Sequence, residues 1–271
     1  MRPAAARVHR YLVDRQGCAV GDRAVPEEIP VAFTFDRKTY AVMMASPADL
    51  EDFAIGFSFT ERIVRGPTDI GEIEVVELPK GVELRMTLAG SRLEQLQKRA
   101  RRFAGPAGCG LCGIESLEEA VSPPPDVTSS LTVDSATIFR AMQELRDHQP
   151  LNALTRSVHA AGFWSLAADG FAAVREDVGR HNALDKLAGA LLRACMRPDD
   201  GFIVLTSRVS IELVQKCAIL GCPLLVAISV PTSLALRAAE AAGLTLVAIA
   251  RDDSFEVFSH CHRIRDSKFV D

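Results

Sequence analysis

No stretch of this chain approaches the roughly 18 uninterrupted apolar residues that a helix needs to cross a bilayer, so no membrane partner is expected. The N-terminus, Met1-Arg2-Pro3-Ala4-Ala5-Ala6-Arg7, has no apolar core of the secretory kind, because Arg7, His9 and Arg10 interrupt the run. Charge of one sign is also lacking. The chain sets 31 Lys and Arg against 35 Asp and Glu, a formal net charge of −4, and its basic clusters are local, which argues against general nucleic-acid binding. A second C-x-x-C pair is missing as well. A closed four-ligand zinc site would therefore have to borrow from His260-Cys261-His262, far along the chain. Seven cysteines are an odd number, and Cys195 and Cys217 sit in apolar runs, so both are expected as reduced core residues of a cytoplasmic protein.

What the chain does have is 271 residues at 48% hydrophobic and 24% charged content, enough for one large domain or two modest ones. Its most telling segment is Gly108-Cys109-Gly110-Leu111-Cys112-Gly113. Glycine leaves the two sulfurs without side-chain shielding, so a large substrate or a partner can approach. The following Ile114-Glu115-Ser116-Leu117-Glu118-Glu119-Ala120 reads as a short helix, whose positive end lowers a thiol pKa, and Lys98, Arg99, Arg101 and Arg102 act in the same direction. The loop from Ala104 to Gly113 is expected to be mobile. Three chemistries remain open at this point: a nucleophilic or sulfur-carrying cysteine, half of a zinc site, and a dithiol redox centre.

Upstream of the thiols, short strands alternate with one helix. Pro30–Phe35 and Tyr40–Met44 flank a polar turn, and Ile73–Leu78 and Val82–Leu88 flank Pro79-Lys80-Gly81, which predicts two hairpins. Between them Ser46 suits an N-cap, Pro47 the first helical position and Asp49 the first turn, with Leu50, Phe53, Ala54, Phe57 and Ile63 as the apolar face. The triplet Pro123-Pro124-Pro125 marks a boundary, giving an N-terminal α+β subdomain over residues 1–125 and an α/β core over 126–271.

In the core, Phe202–Thr206, Leu224–Ile228 and Leu244–Ile249 are uninterrupted apolar runs, as strands buried on both faces should be. Helical patterns between them stop at Gly221 and Gly243, so the order is β-α-β-α-β with a parallel sheet and a ligand crevice at the strand C-terminal ends. The residues expected there are Thr206-Ser207-Arg208-Val209-Ser210 and Ser229-Val230-Pro231-Thr232-Ser233. Hydroxyls and an arginine at helix N-termini suit a phosphate, although the same hydroxyls are also ordinary caps. A third cluster runs from Val174 to Lys186. Arg180 and His181 at a positive helix end would make an anion site, with Asn182 as N-cap; the alternative is a salt-bridge knot that anchors the helix to the sheet.

Taken together, Cys109-Gly110-Leu111-Cys112-Gly113, the run Arg175–Lys186, and Ser207–Lys216 followed by Pro231-Thr232-Ser233-Leu234-Ala235 resemble the formate dehydrogenase accessory sulfurtransferase (FdhD) family. The resemblance extends from Ser46–Asp52 to Val257-Phe258-Ser259. It implies a cytidine-deaminase-like α/β core, usually in a homodimer. It also implies a sulfurtransferase that takes persulfide sulfur from a cysteine desulfurase and passes it to a molybdenum or tungsten bis-guanine-dinucleotide cofactor, Mo-bis(molybdopterin guanine dinucleotide), for the formate dehydrogenase catalytic subunit. That cofactor is bound as substrate, and GDP is a fragment that mimics part of it. By motif position Cys109 is the carrier, with Cys112 shielding or resolving the sulfur. The segment after the last strand, Phe258-Ser259-His260-Cys261-His262-Arg263, is implied to help bind the cofactor, and no metal ligands are implied.

The chain departs from the family pattern at Thr155-Arg156-Ser157-Val158-His159 and at Thr206-Ser207-Arg208, where glycine is usual. Deaminase chemistry is not expected, since His159-Ala160-Ala161 lacks the glutamate of H-x-E and no P-C-x-x-C follows. Two other classes compete with sulfur transfer: a non-catalytic chaperone that delivers the cofactor to apo-formate dehydrogenase, and a zinc-dependent nucleotide hydrolase.

Overall fold

The structure, a computed structural model, describes residues 2–89, 122–251 and 253–265. Its first element is a ribbon of β1 (Ala5–Asp14) and β2 (Gly17–Pro26), paired only with each other. Sequence patterning had predicted no strand there. Tyr11, Val13 and Val20 lie exposed, and a ribbon open to solvent on both sides has no reason to alternate polar with apolar residues.

The next strands form a four-stranded sheet. β3 (Ile29–Phe35) and β4 (Lys38–Ala45) make the first expected hairpin, α1 (Leu50–Thr60) follows, and β5 (Ile70–Leu78) and β6 (Gly81–Leu88) make the second. The spatial order is β4-β3-β6-β5, with β3 and β6 parallel. Phe53 and Phe57 of α1 pack against Phe33, the second pair stacked at 4.0 Å between ring centroids. Burying each of these rings stabilises the fold by roughly 1.5–3 kcal/mol.

The start of α1 differs from the sequence reading. Its N-cap is Asp49, in the left-handed conformation at φ 53°, and no side chain caps it. Ser46 lies outside the helix because a distant carboxylate claims it. Its N–H donates to Asp177 Oδ2 at 3.0 Å, and its Oγ accepts from the Val178 N–H.

The remainder is an α/β core. In chain order it comprises β7 (Val133–Asp134), α2 (Ser135–Glu144), α3 (Pro150–Thr155), β8 (His159–Ser165), β9 (Gly170–Asp177) and α4 (Arg180–Arg193). Then come β10 (Gly201–Leu205), α5 (Ile211–Leu220), β11 (Leu224–Ala227), α6 (Ser233–Ala241), β12 (Thr245–Ala248), β13 (Glu256–Ser259) and β14 (Ile264–Arg265). The six-stranded sheet runs β13-β12-β11-β10-β8-β9. As the apolar runs predicted, β10, β11 and β12 are parallel; β8 and β13 pair antiparallel to their neighbours, so the sheet is mixed. Both faces are covered. Ile203, Leu205, Leu225 and Leu246 point towards α4, α5 and α6, whereas Phe202, Val204, Leu224 and Val247 point towards α2. Gly221, at φ 81°, ends α5 as expected of a glycine stop.

Helix α1 joins the two parts by crossing α4 at backbone contact. A Cβ on Gly56 would sit 1.7 Å from the Asp185 carbonyl oxygen, and one on Gly189 would sit 1.8 Å from that of Asp52. Only glycine fits either position. The cysteines divide: Cys217 is buried as expected, and burial pushes its thiol well up. Cys195 is exposed instead, because it falls just past the end of α4 in a left-handed turn at φ 51°.

Candidate functional site

The run from Arg175 to Lys186 spans the end of β9, the Gly179 turn and the first half of α4, and the structure divides its polar side chains between two environments. The inward set is locked. Asp177 and Lys186 are both fully buried and pair at 2.6 Å, and Lys186 Nζ also donates to the Ser46 carbonyl at 2.9 Å. Asp177 Oδ1 accepts from the Gly179 N–H at 2.8 Å and from Asn182 Nδ2 at 2.9 Å. Asn182 is therefore not the N-cap, which is Gly179; its amide is turned inward and also reaches the Met44 carbonyl. One turn on, Lys216 Nζ donates to Asp185, Thr60 and Glu61 within 3.0 Å. Burial alone would lower the Lys216 pKa, yet Asp185 and Glu61 outweigh it and keep the ammonium charged.

The outward set meets the N-terminus of α5. His181 Nε2 lies 3.9 Å from Glu212 Oε2, an ion-pair separation longer than a hydrogen bond. Four buried polar atoms gather here without a hydrogen-bond partner: Arg180 Nε, His181 Nε2, Ser210 Oγ and Glu212 Oε2. His181 is 9% exposed and Ser210 7%. Such atoms are rare in folded proteins, and each costs about 1–3 kcal/mol when nothing satisfies it. Ser210 occupies the N-cap position of α5 and caps nothing, whereas Thr232, in the same position on α6, accepts from the Ala235 N–H at 3.2 Å.

The field at this end is strong and mixed. Burial, and then the like charge of the exposed Arg208, push the Arg180 guanidinium below its usual range. His159, at the start of β8, is pushed down by burial and then by Arg180 and His181. Burial alone would raise the Glu212 carboxyl, but His181, Ser210 and its own backbone N–H outweigh it and hold the group at about 2. Contacts longer than hydrogen bonds leave Glu212 Oε2 free to accept one more donor. Ile228 and Val230, exposed at the end of β11, flank this rim with apolar surface.

The other expected residues fall into three groups. Ser207 is buried at the crevice end and donates to the Arg208 carbonyl; Ser229 and Ser233 border the same end, and Ser229 accepts from the Ile249 N–H. The segment Phe258–Arg263 lies elsewhere, since β13 runs antiparallel to β12 and Ser259 pairs with Leu246, at the opposite end of the sheet. Phe258 and Ser259 belong to that strand rather than following it. Ser259 Oγ donates to the Leu244 carbonyl, His260 meets Glu240 at the far end of α6, and Arg263 Nη1 donates to the Gly243 carbonyl. Cys261 and His262 are exposed beside them. Cys109, Cys112 and the whole segment from Ala104 to Gly113 lie outside the described residues. Among the described residues no group of His, Cys, Asp and Glu is placed to hold a metal ion, and no helix is long and apolar enough to cross a membrane.

Comparison with known proteins places this geometry in a family. A family model described as FdhD/NarQ matches residues 26–265. The chain belongs to the FdhD/NarQ family. It is 52% identical over 259 residues to the sulfur carrier protein FdhD of Agrobacterium fabrum, with 95% of each chain covered. It is 48% identical to the protein of the same name from Brucella abortus, covering 96% of this chain and 97% of the relative. A crystal structure of a candidate formate dehydrogenase accessory protein from Desulfotalea psychrophila is also similar. That likeness has a TM-score of 0.77 at 27% identity, covering 97% of this chain and 100% of the other.

The FdhD/NarQ match takes in both ends of the sheet, so geometry has to separate them. His159 and Glu212 lie in the segments Thr155–His159 and Ser207–Lys216, and Ser210 in the expected crevice turn, but sequence assigned His159 and Glu212 no binding role and did not set Ser210 apart from an ordinary cap. Nothing in the spacing distinguishes a serine that caps a helix from one that occupies the cap position with its hydroxyl free. In the pair Ser210 and Thr232 only the packed structure tells them apart.

Proposed function

We propose that this chain is a sulfur carrier that serves formate dehydrogenase. Cys109 takes sulfur from a cysteine desulfurase and passes it to Mo-bis(molybdopterin guanine dinucleotide), or its tungsten counterpart, held as substrate in the crevice between the N-termini of α4 and α5. The sulfur-carrying part is supported by membership of the family and by relatives, named sulfur carriers, that match along 95% or more of this chain. The cofactor-binding part rests on one observation, the four unpartnered buried polar atoms of Arg180, His181, Ser210 and Glu212. A phosphate satisfies an arginine and a histidine at a helix N-terminus, and the neighbouring Arg208 adds a second cation.

The transfer balances without an added oxidant. The Cys109 thiolate attacks the terminal sulfur of the desulfurase persulfide, and the desulfurase leaves as its thiolate. Cys112 then attacks the inner sulfur of the Cys109 persulfide. That step forms a Cys109–Cys112 disulfide and releases the outer sulfur as sulfide, with two electrons from the thiols. A cellular dithiol regenerates the pair.

The protein acts in the cytoplasm as a homodimer in this reading. Its test is the intact mass after incubation with a desulfurase and cysteine. Sulfur transfer predicts a cyanide-labile gain of one sulfur on the peptide holding Cys109, absent from Cys109→Ala. No gain on the parent chain, with GDP still bound, would support cofactor delivery without sulfur chemistry.

A further inference from the structure

The crevice contains one group that a phosphate site has no use for. Glu212 is a part-buried carboxylate in the first turn of α5, with a side chain 12% exposed and a buried Oε2 without a hydrogen-bond partner. Facing a phosphate it would repel it, and its contact with His181 at 3.9 Å is too long to complete its hydrogen bonding, which leaves Oε2 room for a donor. Arg180 lies close enough for Glu212 to stabilise its charge, yet the two make no hydrogen bond, and Arg180 Nε is itself unpartnered. A ligand group with two adjacent N–H donors would satisfy the carboxylate. An oxo group beside those donors would satisfy Ser210 Oγ, whose hydroxyl proton is free to turn.

We infer that Glu212 reads a 2-amino-oxopyrimidine edge, the edge that guanine and a pterin share, and so decides which ring system the crevice accepts. The inference rests on the crevice being the cofactor site. The ring N–H and the exocyclic amino group donate side by side to the carboxylate, and Ser210 or the His181 N–H donates to the oxo group. Adenine offers an acceptor where guanine has its ring N–H, and hypoxanthine lacks the amino group. A site built on buried polar groups rejects an analogue that leaves them unpaired. Ile228 and Val230 at the rim give the flat ring an apolar surface to lie against.

Titration calorimetry on the full chain tests this with GDP, inosine diphosphate, xanthosine diphosphate and 6-hydroxymethylpterin. The parent should bind GDP on the order of ten- to a hundred-fold more tightly than inosine diphosphate. Glu212→Gln should erase that preference and improve binding of xanthosine diphosphate, since an amide offers an acceptor to the ring N–H and a donor to the second oxo group. Hydroxymethylpterin that competes with GDP and weakens on Glu212→Gln would identify the pterin as the ring read; a pterin that does not compete leaves guanine. Either result supports the inference. Equal binding of GDP and inosine diphosphate by the parent overturns it, and that comparison needs no variant. In that event an Arg208→Ala variant that still loses GDP affinity keeps the crevice as cofactor site and removes only the role of Glu212. An Arg208→Ala variant that loses nothing removes both.

Discussion

Helix α4 has two polar faces built from one short stretch of sequence, and they differ in whether their hydrogen bonds are complete. Asp177 at the end of β9 and Asn182, Asp185 and Lys186 of α4 turn inward, towards Met44, Ser46, Thr60 and Lys216, where each is paired within the protein. Arg180 and His181 face the crevice, where nitrogen atoms as buried as those inside find no partner. The sequence reading had offered an anion site and a salt-bridge knot as alternatives for this stretch. The structure contains the knot, and Arg180 and His181 stand outside it. A completed network holds the fold; the incomplete one at the strand end is where the proposed cofactor site lies.

The largest effect should come from breaking the completed face. Lys186→Met leaves Asp177 as an uncompensated buried charge, which typically costs about 3–5 kcal/mol. Urea unfolding should show that loss as a lower midpoint with an unchanged slope. A loss below about 1 kcal/mol would mean that the buried pair is not what fixes the Gly179 turn.

The second effect depends on pH. The Glu212 carboxyl is held at about 2 against an ordinary 4.5. A depressed carboxyl contributes stability that is complete above its unfolded value and disappears as pH falls through its folded value. The parent should therefore be more stable than Glu212→Gln above pH 4.5, with the gap closing towards pH 2. A gap that stays constant across that window would show that its neighbours do not hold the Glu212 carboxyl below its ordinary value.

The smallest effect belongs to the open face. Ser210→Ala removes a hydroxyl that makes no hydrogen bond and reaches Glu212 only at longer range, so stability should change by no more than about 0.5 kcal/mol in either direction. Thr232→Ala, at the equivalent cap of α6, should cost about 1 kcal/mol. Thermal unfolding of the two variants gives the contrast directly, and equal losses would remove the distinction between the caps.

How far sequence alone reached follows the same division. The β10-to-β12 unit was legible because its apolar runs are too short for helices and end at glycine stops, and the two N-terminal hairpins because their turns are polar. Ser46 and Asn182 were misplaced as caps, since Asp177, which takes the Ser46 N–H and the Asn182 amide, is 131 and 5 residues away in sequence. Cys195 looked apolar in its run but falls two residues beyond the end of the helix, just past its cap Ala194. The ribbon β1–β2 carries no periodic signal. Separating Phe258–Arg263 from Arg208 required knowing that β13 runs antiparallel, which reverses the end of the sheet at which His260 emerges.

That reversal supplies the most direct test. GDP titrated calorimetrically into Arg208→Ala should bind roughly ten- to 150-fold more weakly than into the parent, the equivalent of losing one charged hydrogen bond of about 1.5–3 kcal/mol. His262→Ala, at the opposite end of the sheet, should bind GDP as the parent does. The reverse pattern, with affinity lost at His262 and kept at Arg208, would contradict the account and move the cofactor site to the far end of the sheet.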